Sequence, residues 1–133
     1  MTAAATILVV DDNPTNLKLA ADVLECAGYS VLRALHAEGA LEILKSTKPQ
    51  LILMDIQMPG MDGLTFTRLL KANPDYHGLR IVALTSFAMK GDEQKAYEAG
   101  CDGYLTKPID TRKLPVVVAE VLQRNATHAV AGA

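Results

Sequence analysis

The chain has 133 residues, of which half are hydrophobic and 21% are charged, and its formal net charge is -2. This length fits one domain of ordinary size, and the composition is typical of a compact fold rather than a disordered chain. The small negative charge gives no broad attraction to nucleic acid or anionic lipid, because both require a basic surface. We therefore expect one folded domain that does not bind nucleic acid directly.

The chain ends and the cysteines predict where the protein resides. No basic region followed by a long apolar stretch opens the sequence, and no apolar run reaches membrane-spanning length. Cys26 and Cys101 show neither metal-ligand spacing nor a disulfide framework. These features predict a cytoplasmic protein without membrane insertion. We place the domain at residues 1–125 and expect residues 126–133, which are rich in small side chains, to form a flexible tail.

Short apolar runs alternate with longer segments of helical period along the chain. This order predicts beta-alpha units around a buried parallel sheet, and hence an α/β fold. Five strands are predicted, at residues 7–10, 29–34, 51–54, 80–84 and 103–106.

Apolar stripes in the intervening segments predict which helix faces contact the sheet. The first helix has a clear start, because Asn13 can cap it and Pro14 suits the first helical position. Its predicted inner stripe is Leu17, Ala20, Ala21 and Leu24, and the later stripes are Ala37, Ala40, Leu41 and Leu44, then Phe66, Leu69 and Leu70, and finally Leu114, Val117, Val118, Val121 and Leu122. Pro115 is expected in the first turn of the last helix.

The segment 90–99 differs from the other helical segments. Its inward candidates are mainly Ala96, Tyr97 and Ala99, with no Leu, Ile or Val among them. A helix that buries little apolar area is a candidate for movement, although a plain short surface helix fits the same residues.

Polar residues follow four of the five predicted strands. Asp11 and Asp12 follow the first, Asp55 ends the third, Thr85 and Ser86 end the fourth, and Lys107 follows the fifth. Taken singly, each residue has an ordinary explanation, such as helix capping or a turn. Ligands of open parallel sheets, however, bind at the carboxyl ends of the strands. The convergence of these side chains on one edge therefore predicts a site.

The chemistry of the predicted site is that of phosphoryl transfer. Three carboxylates at close range repel each other, and a hard divalent cation such as Mg2+ relieves that repulsion. Asp55 can then attack a phosphoryl group as a carboxylate nucleophile. Lys107 supplies a positive charge and Thr85 a hydroxyl donor for the phosphoryl oxygens.

Four segments at these positions resemble the receiver domain of two-component response regulators, in particular single-domain receivers of the CheY-like and DivK-like type. They are VVDDNPTN at 9–16, LILMDIQMPGMDG at 51–63, VALTSFAMKGD at 82–92 and GYLTKPID at 103–110. The resemblance implies a flavodoxin-like, doubly wound sheet of five parallel strands in the order 2-1-3-4-5, with five helices.

The resemblance also implies a role for each site residue. Asp55 is the implied phosphoacceptor, and Thr85, Ser86 and Lys107 are the implied phosphoryl contacts. The implied ligands of Mg2+, with Mn2+ as a possible substitute, are Asp11, Asp12, Asp55 and the backbone carbonyl of Gln57, Asp11 acting directly or through water. Thr85 and Tyr104 are the implied switch residues.

The partners that this resemblance implies are a histidine kinase or a histidine phosphotransfer protein, and a downstream protein target. The target would contact the surface made by the fourth helix, the fifth strand and the last helix. The protein would catalyse only its own phosphotransfer and autodephosphorylation. A receiver excised from a hybrid histidine kinase or a longer regulator has the same features, so this alternative stays open.

Three other functions fit the residues less well. A haloacid-dehalogenase-like phosphatase needs an acid two residues after its nucleophile, and the amide of Gln57 cannot serve as one. A flavin-binding module needs phosphate donors after the first strand, where Asp11 and Asp12 stand. A degenerate receiver that only binds partners is disfavoured because all the matching side chains are present.

Overall fold

The structure, a computed structural model, describes residues 5–57, 62–76, 78–86 and 91–132, and side chains as far as residue 123. Strands and helices alternate throughout these residues. The strands are β1 (Thr6–Val10), β2 (Ser30–Ala34), β3 (Leu51–Asp55), β4 (Arg80–Thr85) and β5 (Gly103–Thr106). The helices are α1 (Pro14–Cys26), α2 (Ala37–Ser46), α3 (Gly63–Ala72), α4 (Asp92–Ala99) and α5 (Lys113–Gly132).

The five strands form one parallel sheet in the order β2-β1-β3-β4-β5. The register pairs Val9 with Leu53 and Leu53 with Val82. The strand order reverses between β1 and β3, which are neighbours in space, and crevices for ligands form at such a reversal. The fold class predicted from the sequence is confirmed.

Alternate side chains of each central strand enter one of two cores. Ile7 and Val9 of β1 pack with residues of α1 and α5 on one face. Leu8 and Val10 pack with residues of α2, α3 and α4 on the other face. Since both faces of β3 are covered, all its residues are buried, which explains its continuous apolar run.

Most of the predicted inner stripes are confirmed. The buried members are Leu17, Ala20, Ala21, Leu24, Ala37, Ala40, Leu44, Phe66, Leu70, Leu114, Val118 and Val121, and Leu41, Val117 and Leu122 are partly buried. Leu69 was wrongly placed, because it is 52% exposed. The buried α3 positions are instead Gly63, Phe66, Thr67 and Leu70, and the Thr67 hydroxyl bonds to the Gly63 carbonyl at 2.8 Å.

Helix α4 has a thin apolar face. Ala96 and Ala99 are buried as predicted, whereas Tyr97 is 43% exposed, so its inward placement was wrong. Tyr97 follows Ala96 directly, and successive residues of a helix do not share a face. The side of α4 that faces the sheet therefore buries the methyl groups of Ala96 and Ala99.

The observed starts of α1 and α5 agree with the sequence signals for them. The Asn13 side chain accepts from the backbone N–H groups of Thr15 and Asn16, and Pro14 is the first residue of α1. Helix α5 begins at Lys113, which puts Pro115 in its first turn. The helix continues to Gly132, through most of the segment predicted as a tail.

Parts of four predicted segments lie outside the described residues. They are residues 58–61 of the motif 51–63, residues 87–90 of the motif 82–92, Lys90 at the start of the helical segment 90–99, and residue 133 of the tail. None of the described helices is both long enough and apolar enough to cross a membrane.

Candidate functional site

Two adjacent strands bring the acidic residues together. Asp11 follows β1 and Asp55 ends β3, and each is 1% exposed, whereas Asp12 is exposed. One carboxylate oxygen from each of the three residues lies within 4.8 Å of the others. This is the cluster that the sequence predicted from strand order.

Backbone hydrogen bonds hold Asp11 in place at the end of β1. The Asp11 N–H donates to the Ala34 carbonyl at 3.1 Å, which extends the pairing of β1 with β2 by one residue. The Asp11 Oδ1 atom accepts the Asn13 N–H at 2.9 Å, immediately before α1 begins. The carboxylate is therefore fixed by the same turn that starts the helix.

Backbone hydrogen bonds of the next two residues hold Asp55 in place. Its Oδ1 atom accepts the Gln57 backbone N–H at 3.0 Å, and the Ile56 N–H donates to the Leu84 carbonyl at 3.0 Å. Gly63, at the start of α3, packs against this turn so closely that a Cβ there would lie 2.7 Å from the Asp55 carbonyl oxygen. Only glycine fits at that position without a shift of the backbone.

Lys107 enters the acidic cluster from β5. Its backbone N–H donates to the Thr85 carbonyl at 2.7 Å, which fixes the end of β5 beside β4. Its side chain is 12% exposed, and the Nζ atom lies 3.1 Å from both Asp11 Oδ2 and Asp55 Oδ2. One ammonium group thus joins two buried carboxylates.

The electrostatics of the cluster favour an added positive charge. Three carboxylates and one ammonium leave a net charge of -2 when all are ionised. Burial, with the Asp11 charge adding to it, raises the pKa of Asp55 to about 6 against the opposing bonds from Gln57 and Lys107. Desolvation acts to lower the pKa of Lys107, but the hydrogen bond to Asp55 and the negative charges of Asp11 and Asp55 together outweigh it and raise that pKa.

The donor set fits a hard divalent cation. Asp11 Oδ2 is buried and has no hydrogen-bond partner among the described residues, so its contact with Lys107 is an ion pair without hydrogen-bond geometry. A buried carboxylate oxygen in this state has unused lone pairs, and Mg2+ or Mn2+ prefers oxygen ligands of this kind. The acidic pocket could therefore bind a metal ion.

The end of β4 contributes the hydroxyl and amide groups of the site. Thr85 is completely buried, and its Oγ1 atom accepts a hydrogen bond from Gln57 Nε2. The Ser86 backbone N–H donates to Gln57 Oε1 at 2.8 Å. Sequence reasoning gave Gln57 a backbone role and did not predict this side-chain contact, because the contact depends on how the turns after β3 and β4 approach each other.

Tyr104 lies on β5, three residues before Lys107 and beside the start of α4. Its ring packs partly buried against the core, and its hydroxyl is buried without a hydrogen-bond partner among the described residues. Burial raises the pKa of Tyr104, and the charges of Asp92 and Glu93 act in the same direction. A cavity of about 650 Å³ adjoins the ring and extends towards Lys113 of α5.

Comparison with known proteins places this geometry in a family. The family model for the response regulator receiver domain matches residues 7–119. The chain is 40% identical over 104 residues to the polar-differentiation response regulator DivK of Brucella anthropi. The aligned region covers 78% of this chain and 85% of DivK.

Solved receiver structures share the fold. A CheY-like response regulator receiver domain protein from Methanospirillum hungatei superposes with a TM-score of 0.85 at 27% identity, covering 94% of this chain and 98% of the other. The signal receiver domain of a histidine kinase from Syntrophus aciditrophicus does so with a TM-score of 0.78 at 33% identity, covering 94% and 92%. With its parallel five-stranded sheet and its acidic pocket at the strand reversal, the chain belongs to the response regulator receiver domains of two-component signalling.

Proposed function

We propose that this receiver is a phosphoacceptor switch in which Asp55 takes a phosphoryl group from a partner's phosphohistidine. The observation that carries this proposal is the placement of the Asp55 carboxylate. It is buried at the end of β3, 3.1 Å from Lys107 Nζ and within 4.8 Å of two further carboxylates. DivK and the other relatives are response regulators by name, which supports the same role.

In the proposed reaction an oxygen of Asp55 attacks phosphorus, and the bond between phosphorus and the imidazole nitrogen breaks. The electron pair of that bond leaves with the imidazole of the donor. The Gln57 N–H holds Asp55 Oδ1, and the Lys107 ammonium lies where it can neutralise charge on the incoming group. The chain's contribution is therefore orientation and electrostatic stabilisation rather than acid-base chemistry.

Asp11, Asp12, Asp55 and the backbone carbonyl of Gln57 would hold Mg2+, or Mn2+ in its place. When bound, the ion neutralises charge on the transferring oxygens. The Asp11 Oδ2 atom supports this assignment, because it is buried and accepts no hydrogen bond among the described residues, its contact with Lys107 being an ion pair.

The phosphorylated state would recruit Thr85, Ser86 and Lys107 to the phosphoryl oxygens. Movement at Thr85, whose register partner is Thr106, would then reach Tyr104, two residues earlier on β5, and the helix α4. We propose that the α4-β5-α5 surface is read by a downstream protein, and that a histidine kinase or a histidine phosphotransfer protein is the donor. Autodephosphorylation by water would reset the switch.

The chain also fits a second setting in the cell. The likeness to the receiver of a Syntrophus aciditrophicus histidine kinase favours, as a second candidate, a receiver that works within a hybrid kinase. The domain boundary at residue 125 and the cytoplasmic location are predictions from the sequence.

The acceptor assignment is tested with the variant Asp55→Asn. Wild-type protein is incubated with Mg2+ and acetyl phosphate, and the mass of the intact protein is measured. We expect wild type to gain one phosphoryl group and Asp55→Asn to gain none while keeping its circular dichroism spectrum.

The matched control is Asp75→Asn, which makes the same chemical change at an exposed loop position away from the site. It should be phosphorylated like wild type. If Asp55→Asn still gained the group, another residue would be the acceptor.

A further inference from the structure

The Gln57 side chain is bonded at both ends of its carboxamide. Its Nε2 atom donates to Thr85 Oγ1, and its Oε1 atom accepts the Ser86 backbone N–H at 2.8 Å. The backbone N–H of the same residue donates to Asp55 Oδ1 at 3.0 Å. Gln57 therefore links the proposed acceptor on β3 to the two residues at the end of β4 that would receive the phosphoryl oxygens.

The bond to Ser86 creates a conflict with a phosphoryl group. A backbone N–H is a single donor, and in this structure it is used by the amide oxygen of Gln57. A phosphoryl oxygen is also an acceptor, so it can take this N–H only after the amide oxygen has left. The same amide holds the fully buried Thr85 hydroxyl from its other end.

We propose that the Gln57 carboxamide is a built-in competitor for the phosphoryl group, an inference that rests on the phosphoacceptor function proposed above. In the resting state its Oε1 atom accepts the Ser86 N–H, and it must leave before an oxygen of a group on Asp55 can accept from that donor. Hydrogen bonds to an anionic phosphoryl oxygen are stronger than those to a neutral amide, so displacement is favourable once the group is present. Gln57 is thus a positioning residue that opposes activation.

The proposed role belongs to the side chain alone and can be separated from metal binding. The metal ligand assigned to this residue is its backbone carbonyl, which any substitution other than proline preserves. Replacing Gln57 with Met keeps a side chain of similar length but removes the amide. Such a variant keeps the backbone carbonyl, and measuring its Mg2+ affinity beside its uptake of the anionic group separates the side chain from the backbone ligand.

Beryllofluoride, a stable mimic of the phosphoryl group on an aspartate, is the probe for this test. It is titrated into the full chain at saturating Mg2+, and the Ser86 amide and Tyr104 ring resonances are followed by NMR. Losing neutral hydrogen bonds from the resting state should lower the half-saturating concentration for Gln57→Met by about three- to ten-fold. Because the mimic is not hydrolysed, the shift reports the conformational equilibrium rather than phosphate lifetime.

The control is Gln50→Met, at the opposite end of the sheet. The Gln50 side chain also makes a bond to a backbone amide, accepting the Thr6 N–H at 2.7 Å. The Gln50→Met variant should therefore bind beryllofluoride with the same half-saturating concentration as wild type. Gln57→Ala, which adds no new packing, serves as the second variant and should shift the titration in the same direction as Gln57→Met.

Each result decides the question. Equal or weaker binding of beryllofluoride by both Gln57 variants would overturn the competitor role. A fall in their Mg2+ affinity, measured without beryllofluoride, would also overturn it, because the side chain would then be needed to maintain the pocket. If wild type itself bound no beryllofluoride, the proposed phosphoacceptor function would be wrong and this inference with it. Tighter binding by both variants at unchanged Mg2+ affinity supports the proposal.

Discussion

The helices that follow β1 and β4 are anchored very differently. Helix α1 buries Leu17, Ala20, Ala21 and Leu24 and is capped by the Asn13 side chain. Helix α4 buries Ala96 and Ala99, and its cap position, Gly91, makes no side-chain hydrogen bond. Asp11 and Asp12 precede the firmly held helix α1, and Thr85 and Ser86 precede the weakly anchored helix α4. In the proposed switch, ion binding and movement would therefore belong to different halves of the site.

The largest expected effect comes from breaking the α1 anchor. Leu24→Ala removes a completely buried side chain from the core beneath α1, and we expect it to lower the free energy of unfolding by about 3 kcal/mol. Tyr97→Ala, on the exposed side of α4, should cost less than about 0.5 kcal/mol. Urea denaturation followed by circular dichroism measures both. Similar losses for the two variants would mean that α4 is anchored as firmly as α1.

The pH dependence of the free energy of unfolding tests Asp55, whose strand β3 lies between β1 and β4. Its pKa rises from 3.8 to about 6 on folding, chiefly through burial, so the folded state binds the proton more tightly. In metal-free protein, this favourable contribution is complete below pH 4 and is lost as the pH rises through about 6. The loss should be about 3 kcal/mol at most.

Urea titrations of wild type and Asp55→Asn across that range isolate the contribution of this one group. Asp55→Asn should lack the fall, because an amide does not titrate. Parallel curves for the two proteins would show that burial does not perturb Asp55 in the folded state. Mg2+ should stabilise wild type more at pH 8 than at pH 5, because protons and the ion compete for the same carboxylates.

The smallest expected effect concerns the α1 cap. Asn13→Ala removes the acceptor for the Thr15 and Asn16 N–H groups and should cost about 1 kcal/mol. Native-state hydrogen exchange measures where that loss appears, and we expect faster exchange in the first turn of α1 with no change in α4. Faster exchange in both helices would indicate that they open as one unit.

The sequence predicted the sheet and most of the site because both depend on local pattern and strand order. Apolar runs identified the strands, and the residue after each strand identified Asp11, Asp55, Thr85 and Lys107 as neighbours. Leu69 was misplaced because its spacing from Phe66 fits a helical stripe, and only the packed helix shows that the stripe faces away at that residue. Spacing within one segment does not determine how that helix is rotated about its axis.

The bond network of Gln57 could not be predicted for a related reason. Its partners, Thr85 and Ser86, are distant in sequence, and a glutamine after a strand has several rotamers that leave it in solvent. The contact exists because the turns after β3 and β4 end side by side. Sequence order gave the backbone position but carried no signal for the side chain.

The assembly of the acidic pocket from separate strands has a consequence for the unfolded chain. Lys107 and Asp55, which contact each other in the pocket, are 52 residues apart in sequence. An unfolded chain therefore holds neither the pocket nor its repulsion, and a divalent cation that binds the pocket stabilises the folded state alone. A higher cation concentration should therefore raise the free energy of unfolding of this domain.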